Sequence, residues 1–156
     1  LPPIVTEVVP TAATQPAMWF FTTTQPAEDW IQEAFDPRGW KEGKSGFGTP
    51  DTPGTAVNTR WNSTDIWLVR DIVLPEVHVD QLHWLVHHDE DAEIYVNGTL
   101  VARLNGYTVQ YDTRPLTAAA KASLKKGKNR IAVHCHQTGG GQYIDVGLVT
   151  VTKRQK

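Results

Sequence analysis

The sequence lacks the features that define several large classes of protein. It has one cysteine, Cys135, among 156 residues, so neither a disulfide within the chain nor a cysteine-based zinc site can form. Its 15 Lys and Arg residues nearly balance its 17 Asp and Glu residues, and no basic block stands out. This balance argues against binding to nucleic acid or to an anionic membrane surface. The fold must therefore depend on its hydrophobic core.

Long apolar runs are also missing. No segment approaches the roughly 20 apolar residues that span a bilayer. The chain opens at Leu1 without the charged segment and apolar stretch of a signal peptide. We therefore expect a mature or excised piece of a protein, with a length that suits one domain.

Aromatic residues, by contrast, are abundant, with six tryptophans and four tyrosines. Some of these rings must belong to the core, because aromatic side chains bury large apolar areas. Others are candidates for a flat platform that stacks on a sugar ring or on a nucleobase, and the charge balance disfavours the nucleobase. The tryptophans are Trp19, Trp30, Trp40, Trp61, Trp67 and Trp84.

The first part of the chain is rich in proline. Residues 1–17 hold four prolines and predict either a linker or an extended strand on a domain edge. Up to Thr64 we expect loops, with one helical turn over residues 28–35 and no regular structure in the turn-rich segment 43–54. The domain itself is predicted to cover residues 18–153, and residues 154–156 form a tail.

From Asp65 onward the pattern changes to short β-branched and aromatic runs separated by turn signals. This spacing predicts an all-β fold, an antiparallel β-sandwich of jelly-roll form with one or two short helices. Asn97-Gly98 separates two of the runs and suits a type I′ hairpin, because both residues tolerate positive φ. The predicted strands are 66–73, 81–87, 92–96, 99–104, 129–136 and 143–152, and the predicted helix is 117–125.

Strand direction brings several loops to one end of such a sandwich, here called the rim. If strand 81–87 runs upward, the acidic turn 88–91 and the loop after Leu104 lie at its top. The loop of Trp61 joins them if strand 66–73 pairs with strand 81–87, and the glycine-rich loop 137–142 joins them if the connection 105–128 crosses the domain. A carbohydrate site needs an aromatic face together with carboxylates, amides and imidazoles. The predicted ligand-binding residues at the rim are Trp61, His88, Asp89, Asp91, Tyr107, Tyr111, Gln137, Gln142 and Tyr143.

Two polar clusters admit more than one interpretation. Residues 87–91, His-His-Asp-Glu-Asp, suit calcium, a transition metal, acid/base catalysis or simply a solvated turn. The turn is favoured over catalysis, because catalytic carboxylates must face each other across a substrate. His134 and His136 share one strand face and could bind a metal, but no third ligand is identifiable, which favours a hydrogen-bonded pair.

The remaining aromatic and glycine residues divide between fold and ligand. Trp84 is expected in the core, Trp67 half-buried, and Trp30 and Trp40 covering the sandwich. Trp61 lies in a polar stretch and is the tryptophan least explained by packing. The glycine-rich loop 137–142 is interpreted either as a flexible connection or as a backbone that approaches a ligand closely, flanked by Gln137 and Gln142.

Several motifs together resemble a known family, the galactose-binding-domain-like jelly rolls. The similarity is to the sugar-binding domains of β-galactosidase and β-glucuronidase type glycoside hydrolases and to related carbohydrate-binding modules. It covers residues 18–151 and is most specific in Asp91-Ala92-Glu93-Ile94-Tyr95-Val96-Asn97-Gly98, followed by Gly127-Lys128-Asn129 before a strand. Further matching residues are Trp30, Phe35-Asp36, Trp40, Gly46-Phe47-Gly48 and the run 64–70.

The resemblance implies a β-sandwich without catalytic residues, because the hydrolytic carboxylates of such enzymes lie in a separate barrel. Many members hold a structural calcium ion, which no residue set here identifies, and no cofactor is required. We therefore expect a non-catalytic carbohydrate-binding module of a larger bacterial polysaccharide-degrading enzyme, extracellular or periplasmic. Its partners would be a polysaccharide or oligosaccharide and a neighbouring catalytic domain.

Two other functions stay open. The first is a purely structural domain that packs against a catalytic domain and has no free sugar affinity, since domains of this type need not bind sugar. The second, which is disfavoured, is a small hydrolase or metal-dependent enzyme that uses the His-Asp cluster.

Overall fold

Two β-sheets packed face to face form the protein. The computed structural model describes residues 1–76 and 78–155. Within those residues lie one α-helix, α1 (Ala118–Ser123), and three 3-10 turns at Glu28–Ile31, Pro37–Gly39 and Val79–Gln81. The strands are β1 (Ile4–Val9), β2 (Met18–Thr22), β3 (Lys41–Lys44), β4 (Phe47–Gly48), β5 (Thr59–Arg60), β6 (Asp65–Leu74), β7 (Leu82–Asp89), β8 (Asp91–Val96), β9 (Thr99–Leu104), β10 (Asp112–Pro115), β11 (Gly127–His136) and β12 (Tyr143–Thr152).

The two sheets have different strand orders. The first sheet has the order β10-β7-β12-β4-β5, and β1 pairs with the far part of β12. The second sheet has the order β3-β2-β6-β11-β8-β9. All pairs are antiparallel except β4 with β5, which is parallel. The predicted all-β sandwich is therefore confirmed, and the proline-rich start of the chain contributes an edge strand.

The Asn97-Gly98 hairpin is confirmed. Asn97 has φ 50° and Gly98 has φ 89°, as a type I′ turn requires. The Asn97 side chain also accepts a hydrogen bond from Arg130 N at 2.8 Å and donates to Ser123 O at 2.9 Å. The turn thus sets the pairing of β8 with β9 as far as a bulge between Ile94 and Tyr95, and it ties the hairpin to β11.

The main core lies between the sheets and contains three of the six tryptophans. Trp19, Trp61 and Trp84 are buried there together with the inward-facing residues of β6, β7, β11 and β12. Trp84 was expected in the core, whereas Trp19 had no predicted place. The indole of Trp61 is only 2% exposed, so the expectation that it lies free in a polar loop is wrong.

A smaller apolar cluster covers the outer face of the second sheet. The covering segment, residues 28–40, lays Trp30 and the half-buried Trp40 over Val69 and Ala132. Arg130 holds this segment in place: its Nη1 donates to the carbonyl of Phe35 at 2.8 Å. The predicted role of Trp30 and Trp40 as a cover is confirmed.

Two expectations about strands are wrong. β6 does not pair with β7 but with β2 and β11, because the connection between them crosses from one sheet to the other. Segment 43–54 is not free of regular structure, since it includes the end of β3 and all of β4. Glycine permits this: a Cβ on Gly48 would lie 2.2 Å from the carbonyl oxygen of Gln142, so a larger residue could not pair there.

Candidate functional site

The loops expected at the rim do meet at one end of the sandwich. Tyr143 lies opposite Asp89 in the first sheet. In the second sheet His136 lies opposite both Asp65 and Asp91. The starts of β6, β8 and β12 and the ends of β7, β9 and β11 therefore share the rim. This placement holds even though the assumed pairing of β6 with β7 does not.

Two of the four aromatic residues predicted at the rim, Trp61 and Tyr143, face inward. The indole Nε1 of the buried Trp61 donates to Ser63 Oγ at 3.2 Å. Tyr143 is fully buried, and Tyr111 is partly buried against it. Trp61 and Tyr143 therefore offer no open ring face to a ligand. Tyr107 differs, because 66% of it is exposed.

A buried polar network explains the inward position of the two tyrosines. The Tyr111 hydroxyl donates to Asp145 Oδ2 at 2.7 Å and lies 2.6 Å from the Tyr143 hydroxyl. Asp145 Oδ2 also accepts a hydrogen bond from Ala12 N at 2.8 Å. Burial raises the pKa of Asp145, and burial together with the Asp145 charge raises the pKa of Tyr111. These groups stabilise the packing of the N-terminal segment and of the loops beside β7, and they do not face solvent.

The His88–Asp89 pair is also enclosed. His88 is fully buried, its Nδ1 lies 2.7 Å from the carbonyl of Glu90, and burial lowers its pKa. Asp89 is buried beneath the glycine-rich loop, where a Cβ on Gly141 would lie 3.2 Å from Asp89 Oδ2. Burial and the neighbouring Glu90 charge raise the pKa of Asp89 to about 6. Neither side chain is placed to bind a sugar hydroxyl without rearrangement.

The acidic turn and the glycine-rich loop bind each other. Glu90 Oε1 accepts hydrogen bonds from the backbone N–H groups of Gly139 at 3.0 Å and Thr138 at 3.3 Å, and from the Thr138 hydroxyl. These hydrogen bonds, above all that of the Thr138 side chain, lower the pKa of Glu90. Gln137 donates to the carbonyl of Gly140 within the glycine-rich loop, and Gln142 donates to the carbonyl of Ser63 in the loop of Trp61, so both predicted amides make hydrogen bonds within the protein.

An open polar cleft nevertheless lies at the rim, on the outer face of the second sheet. It has a volume of about 230 Å³. Of the predicted ligand-binding residues only Asp91 lines it, together with His134 and His136, which the sequence offered as a candidate metal pair. The lining residues are Asp91, Ala92, Glu93, Arg103, Asn105, His134 and His136.

The floor of the cleft is held by ion pairs and imidazole hydrogen bonds. Asp65 Oδ1 accepts hydrogen bonds from His134 Nε2 at 2.7 Å and His136 Nδ1 at 2.8 Å. Burial raises the pKa of Asp65, but these two hydrogen bonds outweigh burial and leave it lowered. Glu93 lies 3.7 Å from Arg103 Nη2 and 3.5 Å from His134 Nδ1. The interpretation of His134 and His136 as histidines satisfied by hydrogen bonds is thus confirmed, and both are bonded to Asp65.

Metal binding gains no support from this arrangement. Within residues 1–76 and 78–155, no group of three or more His, Cys, Asp or Glu side chains is arranged to hold a metal ion. The suggested calcium ion remains a prediction without ligands. In the same residues, no helix is long and apolar enough to cross a membrane.

A second depression, here called the groove, lies farther along the same end. It has a volume of about 420 Å³ and is lined by Phe21, residues 22–24, residues 39–41 and residues 60–63. The half-buried indole of Trp40 supplies an aromatic wall, while Lys41, Arg60 and Asn62 are exposed polar residues. The groove thus combines aromatic and hydrogen-bonding surface, and the sequence patterns did not predict it.

Comparisons with known proteins show where this fold occurs. No protein-family model and no curated protein matches the chain. Among solved structures, the chain is similar to a glycosyl hydrolase family 2 member from Bacteroides cellulosilyticus DSM 14838, with 20% identity and a TM-score of 0.59 over 87% of this chain and 20% of that one. It is similar to the β-glucuronidase of Bacteroides uniformis, with 20% identity and a TM-score of 0.57 over 88% of this chain and 18% of that one.

A third similar structure is the β-glucuronidase of an uncultured Clostridium species. The identity is 15% and the TM-score 0.58, over 98% of this chain and 30% of that one. The chain spans about a fifth of the length of the first two structures. At these identities the similarity shows the fold alone, and at that level it confirms the resemblance: the same kind of β-sandwich forms a part of these glycoside hydrolase chains.

Proposed function

We propose that this chain is a non-catalytic domain of a larger glycoside hydrolase and that it binds carbohydrate at the rim. The observation that carries the proposal is the polar cleft formed by β8, β9 and β11. The similarity to a part of each family 2 glycoside hydrolase supports the attachment to a catalytic domain.

The chemistry of the cleft suits sugar hydroxyls, which both donate and accept hydrogen bonds. Carboxylates of Asp91 and Glu93 accept, the guanidinium of Arg103 donates, and the amide of Asn105 does both. The Asp91 carboxylate also accepts from Gly106 N at 2.6 Å, so the loop that carries the exposed Tyr107 adjoins the cleft. The ring of Tyr107 is then available for the C–H side of a sugar.

The carboxylates of the cleft do not suit hydrolysis. Asp91 and Glu93 lie two residues apart on one face of β8, so they form one wall. A catalytic pair must flank the glycosidic bond from two sides, roughly 5 to 10 Å apart. In addition, Glu93 is engaged by Arg103 and His134. We therefore assign binding, not turnover, to these residues.

Titration calorimetry of the full chain against soluble oligosaccharides tests the proposal. The probes are β-1,4-linked gluco-, xylo- and manno-oligosaccharides, β-linked galacto-oligosaccharides and glucuronic-acid-containing oligosaccharides. We expect a Kd in the micromolar to millimolar range for at least one series, that is about 4 to 8 kcal/mol. Arg103→Ala should weaken this binding about tenfold or more.

A matched control separates the cleft from general loss of charge. Arg154→Ala removes the same side chain after the end of β12, at the opposite end of the sandwich from the rim. It should leave the Kd unchanged. Equal effects of the two substitutions, or binding that survives Arg103→Ala and Tyr107→Ala together, would remove the cleft from the proposal.

A second candidate function is a structural domain that packs against a catalytic domain without sugar affinity. The burial of Trp61 and Tyr143 favours the structural role, because these two rings are then not available at the rim for stacking on a sugar. Absence of binding to every probe would support this candidate. Either function is proposed for an extracellular or periplasmic enzyme, because polysaccharides are met outside the cytoplasm, and fractionation of the source cells tests the location.

A further inference from the structure

The cleft and the groove are joined by one straight row of side chains across the second sheet. Strand register places Thr22 opposite Trp67, Trp67 opposite His134, His134 opposite Glu93, and Glu93 opposite Arg103. Residues directly opposite each other in a sheet project from the same face. The row therefore crosses five adjacent strands on the outer face, from the groove at Thr22 to the cleft at Glu93 and Arg103.

This row lies beside the covered part of the outer face, and its Trp67 packs against the edge of the covering cluster. The next row contains Val69, Ala132 and Tyr95, and Trp30 and its neighbours pack on it. By contrast, Thr22, Trp67, His134 and Glu93 are half-buried and Arg103 is exposed. The covering segment thus borders the row on one side, and its Trp40 reaches the groove.

The middle of the row is a stacked pair of rings. The rings of Trp67 and His134 stack with centroids 4.8 Å apart and an interplanar angle of 1°. Asp65 accepts the 2.7 Å hydrogen bond from His134 Nε2, and this bond fixes the orientation of the imidazole against Trp67. Because each ring covers one face of the other, the stack forms a fixed, closely packed connection between two polar depressions, and those depressions supply the partners for the hydroxyls of a glycan chain.

We infer that the row is the floor of a single binding surface that takes an extended run of about four sugar units, with the cleft at one end and the groove at the other. The row spans four strand spacings, about 19 Å in all. A pyranose unit in an extended chain advances by about one strand spacing, so the floor matches four units. The inference rests on the proposed function and adds that the ligand is the interior of an oligosaccharide or polysaccharide chain, not a single terminal sugar.

Affinity as a function of ligand length tests this inference. The probes are the mono- to hexasaccharides of whichever β-linked series binds the full chain in the calorimetric screen. Affinity should rise by about tenfold or more between the disaccharide and the tetrasaccharide and then level off. A Kd that is the same for all lengths would overturn the extended surface and leave cleft binding intact.

A pair of variants locates the two ends. Asn62→Ala removes an exposed side chain of the groove. It should weaken the affinity for the tetrasaccharide several-fold without changing the affinity for the disaccharide. Arg103→Ala should weaken the affinity for both ligands, and Arg154→Ala should change neither affinity. If Asn62→Ala leaves the tetrasaccharide unchanged while Arg103→Ala weakens it, the groove is not part of the surface. If the wild-type chain binds no series, the proposed function fails along with the inference.

Amide chemical shifts supply a readout that does not depend on affinity. With the disaccharide, shifts should be confined to residues around the cleft on β8, β9 and β11. With the tetrasaccharide they should extend across Trp67 to residues 22–24. Shifts that stay at the cleft for both ligands would contradict the inference.

Discussion

The buried carboxyl of Asp89 should make the protein less stable as pH rises. Its pKa is raised from the ordinary value of 3.8 to about 6 by burial and by the neighbouring charge of Glu90. Since the folded state holds this proton more tightly than the unfolded state, the stabilising contribution is complete below about pH 4. It is lost as pH rises through about 6. Above that pH the ionised carboxylate under the glycine-rich loop destabilises the fold.

The substitution Asp89→Asn tests this reasoning, because it keeps the shape of the side chain and removes its charge. The pKa difference corresponds to roughly 3 kcal/mol. Solvent near the rim screens part of it, so we expect the variant to gain about 1 to 2 kcal/mol at about pH 8 relative to its effect at about pH 4. Urea denaturation at both pH values measures the free energy of unfolding.

The comparison between pH values separates charge from shape. Any packing cost of the new amide is the same at both pH values, whereas the charge effect appears only at the higher one. Asp51→Asn, at an exposed carboxylate in a loop, is the matched control and should show no such difference. An Asp89→Asn variant with the same pH dependence as the wild type would refute the assignment of a raised pKa to this carboxyl.

Two further substitutions test the contacts that hold the loops on the sandwich. Arg130→Ala should lower the free energy of unfolding by about 2 to 4 kcal/mol in urea denaturation, because it removes the charged hydrogen bond to Asp71 and those to two carbonyls of the covering segment. Lys128→Ala, on the same strand but exposed, should change it by less than about 0.5 kcal/mol, and equal effects would contradict the role of Arg130. Tyr111→Phe should cost about 1 to 3 kcal/mol by removing a donor to the buried Asp145, and a change near zero would show that the network contributes nothing net.

The second half of the fold could be predicted from the sequence because its signals are local. Strand β12 begins at Tyr143 and ends at Thr152 as expected, and α1 lies within the predicted helix 117–125, where the hydroxyl of Thr117 caps it by accepting from Ala120 N at 3.2 Å. The Asn97-Gly98 turn is set by two adjacent residues. Alternation within a strand and the chemistry of a turn require no knowledge of distant parts of the chain.

The burial of Trp61 and Tyr143 could not be predicted in this way. Trp61 follows β5, which pairs with β4, and β4 pairs with the start of β12 at Tyr143. Three segments far apart in sequence therefore enclose the two rings. A polar sequence around a tryptophan describes only its neighbours in the chain, and these contacts come from elsewhere.

The cleft was partly accessible to sequence reasoning. The hairpin turn predicts that β8 pairs with β9, and alternation places His134 and His136 on one face of β11. A bulge between Ile94 and Tyr95, which the sequence does not reveal, shifts the register by one residue and places Glu93 opposite Arg103. The sequence does not reveal that β8 and β11 are neighbours in the sheet, and this pairing brings Glu93 beside His134. Only strand order, a long-range property, combines these three pairs into a site.

Calorimetric titration of the full chain with the oligosaccharide panel tests the central claim of carbohydrate binding at the cleft most directly. The account predicts at least one series with a Kd between about micromolar and millimolar, weakened about tenfold by Arg103→Ala and unchanged by Arg154→Ala. If the folded wild-type chain binds no oligosaccharide of the panel, carbohydrate binding is contradicted, and the structural domain becomes the better assignment.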